Sequence, residues 1–180
     1  MIQPENEVEA TILTDPRIIA GFEYGEPTKG HTEGQVGAHV QMILDYIEQQ
    51  DWSEYRDDLR VMALIHDSFK YRQHGKIPYI LPGPGDHAVL AAQYYAELKP
   101  GDERVRKALL HHDTYWRFYK RAQDGVFDEH LFREIYEHID LDLLIRFNYA
   151  DSCFRDNTPV QWFEQKVRAL LENKPALIRA

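Results

Sequence analysis

Apolar residues recur along most of this chain at the three- and four-residue intervals of helices packed on one side. From about Thr32, the residues Val36, Val40, Ile43, Leu44 and Ile47 share one side, while Gln41, Asp45, Glu48 and Gln49 fall largely elsewhere. A second helix is predicted from a Ser53 cap, with Met62, Ile65 and Phe69 in register and an end near Tyr71. The run Pro82-Gly83-Pro84-Gly85 breaks the chain, and Asp86 caps a third helix whose slim face is Ala88, Ala91, Ala92 and Tyr95. Pro100-Gly101 ends that helix, and Asp102 starts a fourth with Val105, Leu109 and His112 at helical spacing. After Asp124-Gly125, Leu131, Ile135, Ile139, Leu143 and Phe147 predict one long helix from about Asp128 to Phe154. Thr158-Pro159 opens a last helix with Phe163, Val167 and Leu170. Near the start, Asp15-Pro16 reads as a short helix start, residues 1–14 as a loose arm, and Gly21, Gly25, Pro27 and Gly30 as loop markers. No stretch sustains strand alternation. The expected fold is all-α, a helical bundle formed as a single domain over residues 1–180.

Composition narrows the function. The chain has 180 residues, 43% of them hydrophobic, which is enough for one core. The formal net charge is -9, so long nucleic acid is not an expected partner. One cysteine, Cys153, forbids an internal disulfide. The acidic, polar start lacks the features of a secretory signal, and no apolar run is long enough to span a membrane, so a cytoplasmic location is expected.

The chemistry lies in nine histidines and the acids near them. His39 falls in the first long helix, His66-Asp67 in the second, His87 in the first turn of the third and His111-His112 late in the fourth. Asp151 follows within Phe147-Asn148-Tyr149-Ala150-Asp151. Each alone has a bland reading. His87 suits a helix start, His111 and His112 a helix C-terminus, and Asp151 a partner for Arg146 or Arg155. His66-Asp67 is harder to dismiss, because it sits between Leu64-Ile65 and Phe69 and at least one member must turn inward.

The order His39, His66-Asp67, His87, His111-His112, Asp151 resembles the HD-domain superfamily of metal-dependent phosphohydrolases, and in particular its members that hold two metals. Lys70, three residues after Asp67, is similar to the lysine often found after that family's His-Asp pair. The resemblance implies an HD-domain-like bundle with two divalent transition metal ions, drawn from Fe, Mn, Zn, Co or Ni. One ion would be held by His39, His66, Asp67 and Asp151. The other would share Asp67 and add His87 with His111, His112 or both, His111 being slightly favoured. Imidazole and carboxylate ligands suit such ions, and Asp67 suits a bridge because a carboxylate has two oxygens to divide. The implied reaction is hydrolysis of a phosphate ester by a metal-activated water, with Asp67 and Lys70 at its centre.

Two segments suggest the substrate. Lys70, Arg72, His74 and Lys76 form a basic run that reads either as a phosphate clamp or as a solvated loop. Trp116, Arg117 and Lys120, within an aromatic and basic stretch from Tyr115 to Arg121, suit a base and its phosphates, or a helix end anchored in the core. The expected substrate is therefore a small phosphate ester, nucleotide-like. His31 and Glu33 precede His39 and read as pocket mouth or as surface. Ser68 has no assigned base, and Pro84 interrupts Gly83 and Gly85, so neither a serine nucleophile nor a glycine-rich phosphate loop is expected. Two alternatives stand beside the hydrolase. One is a diiron oxygenase, since Gly25-Glu26-Pro27-Thr28 faintly resembles oxygenases of this superfamily that cleave phosphonates. The other is a non-catalytic binding module. The apolar face of the last helix either completes the core or forms a homodimer contact.

Overall fold

The computed structural model describes residues 2–28, 32–73 and 80–172. It is an all-helical bundle, with no extended strand among the described residues. The helices are α1 (Glu7–Thr14), α2 (Pro16–Phe22), α3 (Val36–Glu48), α4 (Arg56–Ile65), α5 (His87–Leu98), α6 (Glu103–His111), α7 (Thr114–Gln123), α8 (Glu129–Tyr136), α9 (Leu141–Asp151) and α10 (Thr158–Val167). None of them is long and apolar enough to cross a membrane.

Helix α4 is the central post. Leu59 through Ile65 are all buried, because α1, α3, α6 and α9 pack around it. A helix apolar on every side must lie inside. Helix α5 packs on α6, and α10 packs on α7 and α9. The caps expected at Asp15, Asp86 and Asp102 are present, each side chain accepting from a backbone N–H in the following first turn. Phe118, Phe132, Tyr136 and Phe163 fill the space between α7, α8 and α10 with tilted and edge-on ring contacts. Phe163 and Val167 of α10 are fully buried, so that face completes the core.

Four expectations are corrected. The single helix over 128–154 is two helices, because Asp140 caps a new start by accepting from Leu143 N–H at 2.9 Å. Residues 7–14 are helical rather than loose. Glu9 on α1 is fully buried and accepts from Arg60 of α4 at 2.7 and 2.9 Å, which ties α1 down. Gly21 lies in α2 rather than in a loop, and a Cβ there would meet the Ser68 carbonyl oxygen at 1.9 Å. The second long helix starts at Arg56 without the Ser53 cap and ends at Ile65. Beyond it the chain tightens into three-residue hydrogen bonds, Ser68 N–H to Ile65 and Lys70 N–H to Asp67. His66 and Asp67 thus sit on a tight turn rather than inside a helix, and α2 comes close to that turn because Gly21 has no side chain.

Candidate metal centre

Five elements bring their chemistry to one buried point. His39 comes from α3, His66 and Asp67 from the turn after α4, and His87 from the first turn of α5. His112 comes from the residue after α6, and Asp151 from the last turn of α9. His66 and His112 are fully buried, while His39, Asp67 and His87 are nearly so. The rings form a chain, with centroids 5.7 Å apart for His39 and His66, 5.4 Å for His66 and His112, and 5.1 Å for His112 and His87. Phe147 packs beneath the middle two.

Hydrogen bonds behind the rings leave the Nε2 atoms facing inward. His66 Nδ1 lies 3.0 Å from the Ala63 carbonyl, and His112 Nδ1 lies 2.7 Å from the Leu109 carbonyl. A carbonyl only accepts, so each Nδ1 carries a proton and Nε2 is the atom left to take either an ion or a second proton. His87 Nδ1 faces Gln73 Oε1 at 2.6 Å and Asp86 Oδ1 at 3.2 Å, to the same effect. His39 Nδ1 sits 3.4 Å from Glu33 Oε1 and 3.2 Å from Arg155 Nη2. Arg155 donates to that Nδ1, so in the absence of an ion His39 Nε2 donates to Asp151 Oδ1 at 2.9 Å.

Asp67 divides its oxygens between two sets. Oδ2 lies 3.4 Å from His66 Nε2, while Oδ1 lies 3.4 Å from His87 Nε2 and 3.9 Å from His112 Nε2. Asp151 Oδ1 is 3.4 Å from His66 Nε2. Two triads result, His39–His66–Asp67 and Asp67–His87–His112, each with ligand atoms close enough to share an ion. The fit to metal is chemical as well as spatial. His66 Nε2 is buried and makes no hydrogen bond, and the His87 and His112 Nε2 atoms face each other at 3.2 Å. Two lone pairs aimed at one point repel unless a cation or a proton lies between them.

Charge is concentrated to match. Burial alone would raise the Asp67 carboxyl, but His66 and Lys70 outweigh it and hold it well below the usual range. Asp151 is held low against its burial by His39 and His66. Burial pushes the His66 imidazole down, yet Asp67 and Asp151 lift it to about 10. His87 reaches about 9 against its own burial, through Asp113 and Asp86. Without ions, protons are held in their place.

The other expected residues are spread more widely. His111 does not join either triad. Its Nδ1 lies 3.3 Å from Thr114 Oγ1, and burial pushes it down to about 4, so the slight preference for His111 over His112 is corrected. Lys70 reaches Asp67 Oδ2 at 2.5 Å and lines both openings onto the centre. One is a cavity of about 450 Å³ whose walls include Asp113, Trp116, Asp151 and Arg155. The other, about 270 Å³, lies under Tyr24, Glu26 and Thr28 and reaches His39. Trp116 is 45% exposed at the larger opening, with Lys120 over its ring at 5.7 Å. Arg117 turns elsewhere, donating to Asp86 Oδ2 at 2.7 Å, and so supports His87 from behind. Arg72 is exposed on the short turn Lys70–Arg72. His31, His74 and Lys76 lie outside the described residues.

Sequence reasoning missed Asp113, Asp86 as the support of His87, and Arg155 as the partner of Glu33 at 2.8 Å. The signal for Asp113 was its place directly after His111-His112, and for Arg155 its place one turn after Asp151. Set against family models, curated proteins and solved structures, the chain matches none.

Proposed function

We propose that this chain is a metal-dependent phosphohydrolase of the HD-domain kind, acting on a small phosphate ester with a nucleotide-like planar group. The observation that carries the reading is the set of buried imidazole Nε2 atoms gathered around the two oxygens of Asp67, His66 Nε2 among them without a hydrogen bond, at the floor of a cavity that Lys70 lines.

His39, His66 and Asp151 would hold one ion and His87 and His112 the other, with Asp67 between them. Bound divalent ions supply Lewis acidity, making a water acidic near neutral pH and offsetting charge on phosphate oxygens. The chain's own groups do the rest. Lys70 stands at the edge of the ligand set, where its ammonium offsets charge on the phosphoryl group. Its bond to Asp67 fixes that ammonium in place before substrate arrives. Arg155, on the wall of the larger cavity, is positioned by Glu33. Trp116, exposed at the mouth, offers a face on which a base stacks. Phe147 and the buried helices exclude water from the far side, which strengthens every charge interaction in the centre.

A second reading has one observation in its favour. The Gly25–Thr28 segment, which resembles phosphonate-cleaving oxygenases, lines the smaller cavity beside His39, Asp67 and Lys70. The two readings separate in one assay. Metal-loaded protein is given nucleoside monophosphates, simple phosphomonoesters, diesters and phosphonates, with and without oxygen. Phosphate or nucleoside release that is equal in both atmospheres supports the hydrolase. Oxygen uptake matched to product would establish the oxygenase instead, and binding without turnover would leave a recognition module.

A further inference from the structure

We propose that Asp113 is a terminal ligand of the second ion. It would complete a two-histidine, one-aspartate set with His87 and His112 that mirrors His39, His66 and Asp151 across the shared Asp67. The assignment rests on the two-ion reading above.

The two sides are otherwise unequal. Around His39 and His66, Asp151 brings a terminal carboxylate at 2.9 and 3.4 Å. Around His87 and His112, the triad with Asp67 contains only the shared carboxylate. Asp113 supplies what is missing. Its Oδ2 lies 3.3 Å from His87 Nε2 and its Oδ1 lies 3.8 Å from His112 Nε2. These are the inward nitrogens, whose partner Nδ1 atoms are already committed to Gln73 and to the Leu109 carbonyl. The other carboxylate beside His87, Asp86, sits on the Nδ1 side and is taken up by Arg117 and the Ala88 N–H.

The local backbone gives an independent reason. Asp113 is the residue before α7, where an aspartate ordinarily accepts from the first-turn N–H groups. It makes no such bond. Its φ and ψ of -90° and -11° are also not the extended values usual at that position, and the side chain faces the imidazoles. A carboxylate left out of its cap and set opposite two imidazole nitrogens needs a proton or a cation between them, and a single ion would join all three. Two imidazoles with one carboxylate is a set that divalent Fe, Mn and Co accept with positions left open for water and substrate. The side chain of Asp113 is 36% exposed and lines the larger cavity, so an ion held there would be within reach of that cavity.

The test needs no substrate. Metal-stripped protein is titrated with Co(II) at neutral pH, followed by calorimetry and by the visible cobalt spectrum. Wild type should take up two equivalents. Asp113→Asn and Asp113→Ala should keep one at wild-type affinity and weaken the other by more than about 100-fold, since losing only an outer partner typically costs about 10- to 100-fold. Asp113→Glu should recover part of the loss, and the thermal melt of the metal-free variants should match wild type. An Asp113→Asn protein that keeps both equivalents at full affinity, or loses both together, overturns the assignment while leaving the two-ion reading in place. Wild type taking fewer than two equivalents overturns that reading, and this assignment with it. Neither result depends on which ester is hydrolysed.

Discussion

Two buried clusters of charge are anchored on α4, one midway along it and one just past its end, and they are built on opposite rules. Midway along the helix, Arg60 is 4% exposed and Glu9 fully buried, and their groups are matched. Glu9 accepts from Arg60 Nε and Nη2 and from the Glu5 N–H, while Arg60 Nη1 reaches Glu48 at 2.8 Å. At the far end, His66, Asp67 and their neighbours are equally buried, but nitrogens face nitrogens and His66 Nε2 has no hydrogen bond. A saturated cluster holds helices together. An unsaturated one of the same depth raises the free energy of the empty protein and is tolerated where a ligand completes it. The difference separates a clamp from a site where composition alone would not, since both contain buried acids and bases.

The largest consequence concerns the unsaturated cluster. Asp67→Asn should lower kcat/KM by about 10⁴-fold, ~5 kcal/mol of transition-state stabilisation, and reduce metal content with it. Steady-state kinetics with elemental analysis would show this, and a fully active, metal-replete variant would break the comparison. The clamp should respond in the other way. Arg60→Ala leaves Glu9 buried without its partner and should cost about 3–5 kcal/mol of stability, measured by urea unfolding, while the folded fraction keeps its metal stoichiometry. Loss of metal at unchanged stability would contradict it.

A third difference appears with pH. In stripped protein, His66 and His87 are raised to about 10 and about 9, above their unfolded value near 6.5. A raised group stabilises fully below its unfolded pKa and loses that contribution as pH rises through its folded pKa. Chelator-treated protein should therefore lose stability between about pH 7 and 10, by a few kcal/mol in a thermal-melt series. Metal-loaded protein should not, because ions replace those protons, and metal uptake at pH 7 should release protons into the buffer. A flat profile for the stripped protein would remove the link between protons and ions. The smallest effect expected is at the rim. Trp116→Ala should weaken a nucleotide by about 1–3 kcal/mol through KM and leave a phosphomonoester lacking a ring unaffected.

Much of this was legible in the residues. Helix starts at Asp15, Asp86 and Asp102 are written in local chemistry, since a short acid before an apolar run caps in place. The break at Asp140 carries the same signal, but unbroken apolar spacing from Leu131 to Phe147 masked it. His66 and Asp67 stood out as a polar pair between apolar residues, whereas His39 and Asp151 gained meaning only through the order that resembles the HD-domain superfamily. What spacing leaves undecided is direction. His111 and His112 are adjacent, and only the packing of α6 against α5 and α4 turns His112 inward. Arg117 looked like a phosphate contact from its aromatic neighbours, yet Asp86, 31 residues away, claims it. Glu9 and Arg60 lie 51 residues apart, and nothing local to either announces the pair. The role of Gly21 depends on the backbone of Ser68, which a one-dimensional pattern does not contain.

The most direct measurement is anomalous diffraction from crystals grown with Mn(II), collected to locate the ions without reference to activity. Two anomalous peaks are expected, one on each side of the Asp67 carboxylate, the first bounded by His39, His66 and Asp151 and the second by His87 and His112. A map without density at Asp67, or with manganese bound only at surface carboxylates, would contradict the claim that these buried side chains form a metal centre.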